Sequence, residues 1–567
     1  MIKDKNKKNN FYYSNDSNKN ESAFSDVSLI LKNRINIVLK SFLIIISIIL
    51  VRLLYLGFSH TNEINFDNFI SEKDYNTRLN IVDRSNLLIA TSVDVYDLVL
   101  KVDKARNLSE LLAKLKKEKE FKNINVEEIK KESLLKKRIV LKKKLDPEEY
   151  KKAVLLGEPS LELNKRQVRI YPQRNLFSHV LGQIDDDYKG ISGIESYFNS
   201  KILNTTDPSS TFQITLDSVI QSQIRQELLE AINTYSSKGA AALLMNVNSG
   251  EIISLVSLPD FDPNRRESLN DNKFLNKITL GTYELGSVFK SFVIADALEL
   301  KLVDENTIFE NLQSKTYCGN KVFHEHDKKI QNLTTSEILI KSSNVGAMLI
   351  GEKVNKERYK NFLTKIGLFD LPSVEIPEKT KPLNVNWSEC TLDTASYGHG
   401  ISTTPIQLAS AYATLVNGGY KIYPTLIKKK NSHKQERIIS SDTSSRMIKM
   451  LRRVVDKTDP AEGTGRKADI SGYSVIGKTG TADKPAKDTK GYTHQYISVF
   501  VAIYPEEKPE NLLLIMIDEP KSSITKGIYR TESAWNAVPV AGSIIKKIGP
   551  ILAEKNYNIA FNVKQDK

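Results

Sequence analysis

Three short strings in this chain hold residue types that could together move an acyl group. Ser287-Val288-Phe289-Lys290 sets a hydroxyl three residues before an amine. On a helix such a pair shares one face, within reach of each other. A serine hydroxyl is a poor nucleophile until a neighbouring base takes its proton. A lysine can be that base if apolar burial lowers its pKa, and Phe289, Phe292, Val293 and Ile294 offer such surroundings. If Ser287 opens the helix, free backbone N–H groups there also favour developing negative charge. Ser342-Ser343-Asn344 adds a hydroxyl that can relay a proton and an amide that can hold a peptide backbone. Lys478-Thr479-Gly480-Thr481-Ala482 reads as a strand. Its two threonines point to one side, where their hydroxyls suit the carboxylate of a peptide C-terminus. Lys478 adds positive charge, and Gly480 lets a ligand approach the backbone closely. An extended substrate could pair with this strand by β-augmentation. The backbone N–H groups of Ser287 and Thr481 are candidate oxyanion donors.

Each string alone says little. S-x-x-K recurs at Ser133/Lys136, Ser523/Lys526 and Ser543/Lys546, and S-x-N at Ser268/Asn270. By itself Ser287 could equally be a helix N-cap, and the Ser342–Asn344 string a helix cap. K-T-G occurs once, and only one arrangement sets S-x-x-K, S-x-N and K-T-G-T in that order, 55 and then 136 residues apart. His399, between Gly398 and Gly400, is read as a packing or loop-shaping residue rather than a base. No cluster of histidine, cysteine and carboxylates argues for a metal.

These strings need elements to hold them. The chain has 567 residues, enough for two or more cores. Its net charge of +14 comes from lysine, and no recognition fold or aromatic-basic platform points to nucleic acid. Sequence alone does not decide whether the two cysteines, Cys318 and Cys390, pair. Residues 35–58, INIVLKSFLIIISIILVRLLYLGF, make about 36 Å of helix at 1.5 Å per residue, enough to cross a bilayer. Lys32 and Arg34 precede the span, whereas Glu63, Asp67, Glu72 and Asp74 follow it, which places the N-terminus in the cytoplasm. No A-x-A-like cleavage site follows, so the span is a retained anchor.

The Asn-, Lys- and Ser-rich residues 1–34 read as a disordered cytoplasmic tail. Residues 59–230 form a first extracytoplasmic unit, with short amphipathic helices in the Lys/Glu-rich stretch 108–157. Composition shifts near Lys238. Ala240–Val247 and Glu251–Ser257 are strand-like runs around Asn248-Ser249-Gly250, a hairpin signal. Helical segments at 287–300 and 335–352 follow, then strands at 473–482, 496–504 and 512–517, and a helix from Val538 to Leu552. The expected fold of residues 231–556 is α+β, an antiparallel sheet built from both ends of the domain and flanked by helices. Residues 557–567 remain as a tail.

At this point the chain resembles the class B penicillin-binding proteins, the peptidoglycan D,D-transpeptidases, from the anchor to about residue 550. The likeness extends beyond the three strings. Arg78-Leu79-Asn80-Ile81-Val82-Asp83-Arg84 resembles the R-G-x-I-x-D-R element that opens the family's pedestal, with Leu79 in place of glycine and Ser85-Asn86 in place of a following Asn-Gly. Arg169-Ile170-Tyr171-Pro172 with His179 and Gly182, and Gly190 to Glu195 as G-x-x-G-x-E, resemble two more pedestal motifs. Phe261-Asp262-Pro263-Asn264 and Thr404-Pro405 with Gln407-Leu408 fit the catalytic domain. Three strings are similar to the septal, division-specific FtsI type: Tyr283 to Ser287, Ser396 to Gly400 and Asp518 to Lys521.

The resemblance implies an extended α/β pedestal between a single N-terminal transmembrane helix and the transpeptidase domain. It implies that Ser287 attacks a D-Ala-D-Ala stem peptide, that Lys290 takes its proton, and that Ser342 and Lys478 protonate the leaving D-Ala. An amine of a second stem, diaminopimelate in a Gram-negative wall, then forms the cross-link. β-Lactams would acylate Ser287. The resemblance implies no organic cofactor or metal. Partners would be a polytopic membrane glycan polymerase and other division proteins, at the inner membrane with the catalytic domain periplasmic. The elongation-specific class B relative shares the catalytic strings. A carboxypeptidase or β-lactamase lacks the pedestal motifs. A sensor would carry more spans, and an inactive scaffold would have lost a catalytic residue.

Overall fold

The computed structural model describes residues 20–59, 78–203, 210–265, 271–317, 321–325, 330–383, 385–388, 390–428, 436–485 and 491–565. The first nineteen residues of the expected tail, the acidic stretch Glu63–Asp74, the Ser268/Asn270 pair and Cys318 lie outside them. Cys390 is disulfide-bonded. The chain divides into two units, Met1–Tyr75 and Asn76–Lys567.

Among the described residues the first unit is one helix, α1 (Asn20–Ser59). Its window Asn36–Tyr55 has a mean hydropathy of 2.6 and none of it is buried. A helix apolar on every side has no polar face to turn to water. The helix also takes in residues 20–34, which composition assigned to a tail. Once an apolar span has nucleated a helix, each added residue costs little.

The second unit opens with a small sheet. β1 (Asn80–Val82) pairs antiparallel with the start of β2 (Leu88–Lys101), β3 (Arg138–Lys142) with the end of β2, and β4 (Leu161–Ile170) with β2 from Thr91 to Leu100. β5 (Thr211–Gln213) adds to β1 in parallel. The stretch 108–157 does hold amphipathic helices, Leu108–Lys117, Val126–Ser133 and Pro147–Leu155. They close a small core of Leu98, Leu100, Leu112, Leu115, Phe121 and Ile139. β3 lies in the same stretch, hidden in sequence by the lysines around it.

The three pedestal motifs meet inside this region. Arg78 is fully buried, and its Nε and Nη2 donate to Glu195 Oε2 at 2.9 and 2.5 Å. Arg169 Nε donates to the other oxygen, Oε1, at 2.7 Å. Two arginines thus bracket one buried carboxylate. Asp83 Oδ1 accepts from Ser85 N and Leu87 N, and its Oδ2 accepts from Ser218 N and Oγ at the start of α2 (Ser218–Tyr235). Asn86 has φ of 64°, so an asparagine supplies the left-handed residue that glycine usually gives. Asn264 ties the next domain on. Its Oδ1 accepts from Tyr171 N and its Nδ2 donates to Tyr171 O, both at 2.9 Å.

The main sheet is antiparallel throughout, in the order β8-β9-β10-β6-β7. Its strands are β6 (Gly239–Asn246), β7 (Ile252–Leu258), β8 (Ile476–Pro485), β9 (Tyr492–Tyr504) and β10 (Asn511–Asp518). The last strand, β10, pairs with the first, β6, so the two ends of the domain close one sheet. Alternation sorts the side chains into two cores. Ala241, Leu243, Met245, Val499, Val501, Leu512, Leu514 and Met516 face a helical layer of α3 (Lys290–Glu299), α4 (Thr335–Lys341), α5 (Asn344–Val354) and α6 (Pro405–Val416). Ala240, Ala242, Leu244, Phe500, Ala502, Leu513 and Ile515 face α2 and α7 (Ala537–Gln565). This is the α+β sheet flanked by helices that the sequence suggested.

Several boundaries moved: the strand expected from residue 496 starts at Tyr492, and the helix expected over 335–352 is two, α4 and α5. The strand expected from Tyr473 starts at Ile476, because Gly472 and Ser474, at φ of 88° and 42°, make a turn first. The closing helix runs on to Gln565, through most of the expected tail.

Candidate active site

Ser287 does not open the α-helix. It lies in a 3₁₀ turn, Gly286–Phe289, and the α-helix begins at Lys290. In a 3₁₀ turn residues three apart eclipse, which points both side chains the same way. Lys290 Nζ lies 2.9 Å from Ser287 Oγ. Val288, Phe289 and Phe292 are fully buried around the pair. Tyr412 of α6 fixes the turn from behind, its hydroxyl donating to Val288 O at 2.6 Å and lying 2.9 Å from Ser291 Oγ.

Ser342-Ser343-Asn344 is the break between α4 and α5. Ser342 ends α4 in the left-handed region, φ 61° and ψ 41°. Ser343 caps α5, its hydroxyl accepting from Gly346 N. This bend turns Ser342 and Asn344 toward Lys290, whose Nζ donates to Ser342 O at 2.5 Å and to Asn344 Oδ1 at 2.6 Å. Ser342 Oγ is 3.1 Å from the same amine. The two pure acceptors can take both N–H bonds of a neutral amine, leaving its lone pair for the Ser287 proton.

β8 is the edge strand of the main sheet and carries the third string. Lys478 is fully buried, and its Nζ donates to Ser342 Oγ at 2.9 Å. Ser342 Oγ therefore sits between two lysines. Gly480 is required by contact, since a Cβ there would meet Leu285 O at 2.3 Å. A Cβ on Gly286 would meet Thr481 O at 2.3 Å and N at 3.3 Å, so the Thr481 backbone lies against the turn that presents Ser287. Thr479 and Thr481 alternate with Lys478 to the other face. Thr479 Oγ1 is 2.7 Å from Thr464 Oγ1, and Thr481 Oγ1 accepts from Ser533 N at 3.1 Å.

Burial sets the electrostatics. Desolvation lowers the Lys290 pKa to about 7, against an opposing pull from Glu325. Lys478 is held well below the ordinary lysine value, first by burial and then by the charge of Lys290. A lysine near 7 is part neutral at neutral pH, which suits a general base.

All the candidate residues converge: Ser287, Lys290, Ser342, Asn344 and Lys478 through one hydrogen-bonded chain, and Thr479, Gly480 and Thr481 on the strand beside it. Sequence reasoning did not single out Thr464 or Ser533, which bond Thr479 and Thr481, or Glu325 and Tyr412, which bond the immediate neighbours of the candidate residues, all from distant parts of the chain. Glu284 lies three residues before Ser287. Its carboxylate accepts from Tyr492 Oη at 2.9 Å and Gly400 N at 3.1 Å, with His399 Nδ1 3.5 Å away. The His399 ring packs between Tyr397 and Tyr492.

Comparison with known proteins gives the family. Residues 240–544 match the penicillin binding protein transpeptidase domain, and residues 73–226 the penicillin-binding protein dimerisation domain. The probable peptidoglycan D,D-transpeptidase FtsI of Caulobacter vibrioides is 32% identical over 421 residues, covering 72% of this chain and 71% of its own. The peptidoglycan D,D-transpeptidase FtsI of Buchnera aphidicola subsp. Baizongia pistaciae is 29% identical over 91% of this chain and 95% of its own. Penicillin binding protein 3 of Mycobacterium tuberculosis, solved in complex with aztreonam, shares the fold with a TM-score of 0.66 at 23% identity, over 85% of this chain and 96% of its own. The chain belongs to the penicillin-binding protein transpeptidases, in the class B form that carries a dimerisation domain ahead of the transpeptidase domain.

Proposed function

We propose that this chain is a septal peptidoglycan D,D-transpeptidase that works through an acyl-enzyme on Ser287. The observation that carries the reading is Lys290 Nζ, buried and 2.9 Å from Ser287 Oγ, with its other bonds committed to Ser342 and Asn344. Ser287 Oγ attacks the carbonyl of the penultimate D-Ala of a stem peptide while Lys290 takes its proton. The tetrahedral oxyanion falls to the backbone N–H groups of Ser287 and Thr481. The C–N bond breaks, and the leaving D-Ala amine is protonated through Ser342 and Lys478. An amine of a second stem then attacks the ester, releasing Ser287 and forming the cross-link. Asn344 holds the donor backbone, and Thr479 and Thr481 hold its terminal carboxylate. β-Lactams enter as donor mimics and leave Ser287 acylated.

The septal assignment rests on the FtsI names of the relatives. The span at 35–58 is the single membrane anchor, with residues 1–34 cytoplasmic and the pedestal (59–230) and catalytic domain (231–556) periplasmic. A polytopic membrane glycan polymerase and other division proteins are the partners of anchor and pedestal. The test is labelling of the full-length protein with a fluorescent penicillin, the adduct being located by mass spectrometry. Label on Ser287 that is absent from Ser287→Ala is expected. Label elsewhere, or none on folded wild type, contradicts the reading.

A further inference from the structure

Glu325 lies just beyond the short hairpin Ser314–Tyr317/Lys321–His324 and is buried. One of its oxygens, Oε2, accepts from Ser343 Oγ at 2.7 Å and from Val345 N at 3.1 Å. Those two donors alternate with Ser342 and Asn344, the residues that supply three of the four contacts of Lys290. A single carboxylate oxygen therefore grips the turn on its outer side while the turn grips the lysine on its inner side. Ser342 needs such a grip, because its left-handed backbone is disfavoured for any residue with a Cβ. The carboxylate also stands at the N-terminus of α5, where the helix dipole favours negative charge.

We propose that Glu325 is a positioning residue for acylation, locking the Ser342–Asn344 turn around Lys290 and supplying the negative charge against which the two buried lysines are balanced. The inference rests on the reading of Ser287 as the acylated residue. Among the described residues the charged groups facing Lys290 are Lys478, from β8, and Glu325, from the hairpin segment. They act in opposite directions. Glu325 holds the proton on Lys290 more tightly than burial alone would. Removing its charge makes neutral Lys290 easier to form, so the acid limb of the acylation rate should move to lower pH.

The test uses full-length protein in detergent. Fluorescent-penicillin acylation rates are measured between about pH 5 and 9, with thermal melts to confirm folding. Glu325→Gln keeps an acceptor oxygen and loses the charge, so its acid limb is expected at lower pH than wild type. Ser343→Ala keeps the charge and loses one bond to the turn. It should acylate about 3- to 10-fold more slowly, with its limb in place. Folded Glu325→Gln with an unmoved limb, at any rate, overturns the proposal. If Glu325→Gln does not fold, Glu325→Asp decides. A shortened reach with the charge retained should slow acylation about tenfold, and a wild-type rate contradicts the proposal. Wild-type protein with no label on Ser287 overturns the underlying reading as well. Labelled wild type with indistinguishable variants overturns this inference alone.

Discussion

Two buried charged clusters in this chain are built in opposite ways. In the N-terminal sheet region Arg78 and Arg169 enclose Glu195, with direct ion pairs at 2.5 and 2.7 Å. In the catalytic domain Lys290 and Lys478 flank the neutral Ser342 hydroxyl, with no carboxylate among the described residues bonded to either amine. Arginine keeps its proton under all ordinary conditions, while lysine surrenders it when buried. The first cluster is thus suited to holding motifs together. The second is suited to passing a proton. Burial alone does not separate structural from catalytic charge. The choice of cation and the presence of a bonded counter-charge do.

The contrast can be broken from either side. The largest effect is expected from Lys290→Arg. An always-charged group cannot take the Ser287 proton, and acylation should fall about 10²- to 10⁴-fold in stopped-flow labelling. Glu195→Ala comes next. It leaves two arginines buried without a counter-charge and should cost about 3–5 kcal/mol of stability in denaturant unfolding. The folded fraction should still acylate with the wild-type pH profile. A changed profile would mean that the two clusters are not independent.

Backbone packing gives a finer test. A Cβ on Gly398 would lie 2.0 Å from Gly286 O, whereas one on Gly472 meets nothing within 4 Å, and both residues have positive φ. Gly398→Ala should displace the Ser287 turn and slow acylation. Gly472→Ala should cost only about 1 kcal/mol of stability and leave the rate alone. A small effect on the rate is expected from Tyr412→Phe. It removes one hydroxyl bonded to Val288 O and Ser291 Oγ. It should cost about 1 kcal/mol by thermal unfolding, with a rate change of a few-fold.

Much of this was legible in the residues themselves. The three catalytic strings carry local spacing, and the strands β6, β7, β9 and β10 carry apolar runs that only a buried sheet can hold. β3 and β4 were not legible, because the three apolar residues of Arg138–Lys142 are hemmed in by charged ones and Leu161–Ile170 is mostly polar, and both strands are largely half-exposed. Nor was the 3₁₀ geometry at Ser287, since S-x-x-K fits either kind of helix. Glu325 and Thr464 are single residues with no pattern around them. Only the folded chain brings one to Ser343 and the other to Thr479.

The central claim is that burial prepares Lys290 as the base for Ser287. The most direct test is the acylation rate of wild-type protein as a function of pH. The lowered lysine pKa predicts a rate that falls on the acid side with a midpoint at about 7, as the amine gains the proton that blocks it. A rate flat through that region, or one that rises as pH falls, would contradict the account.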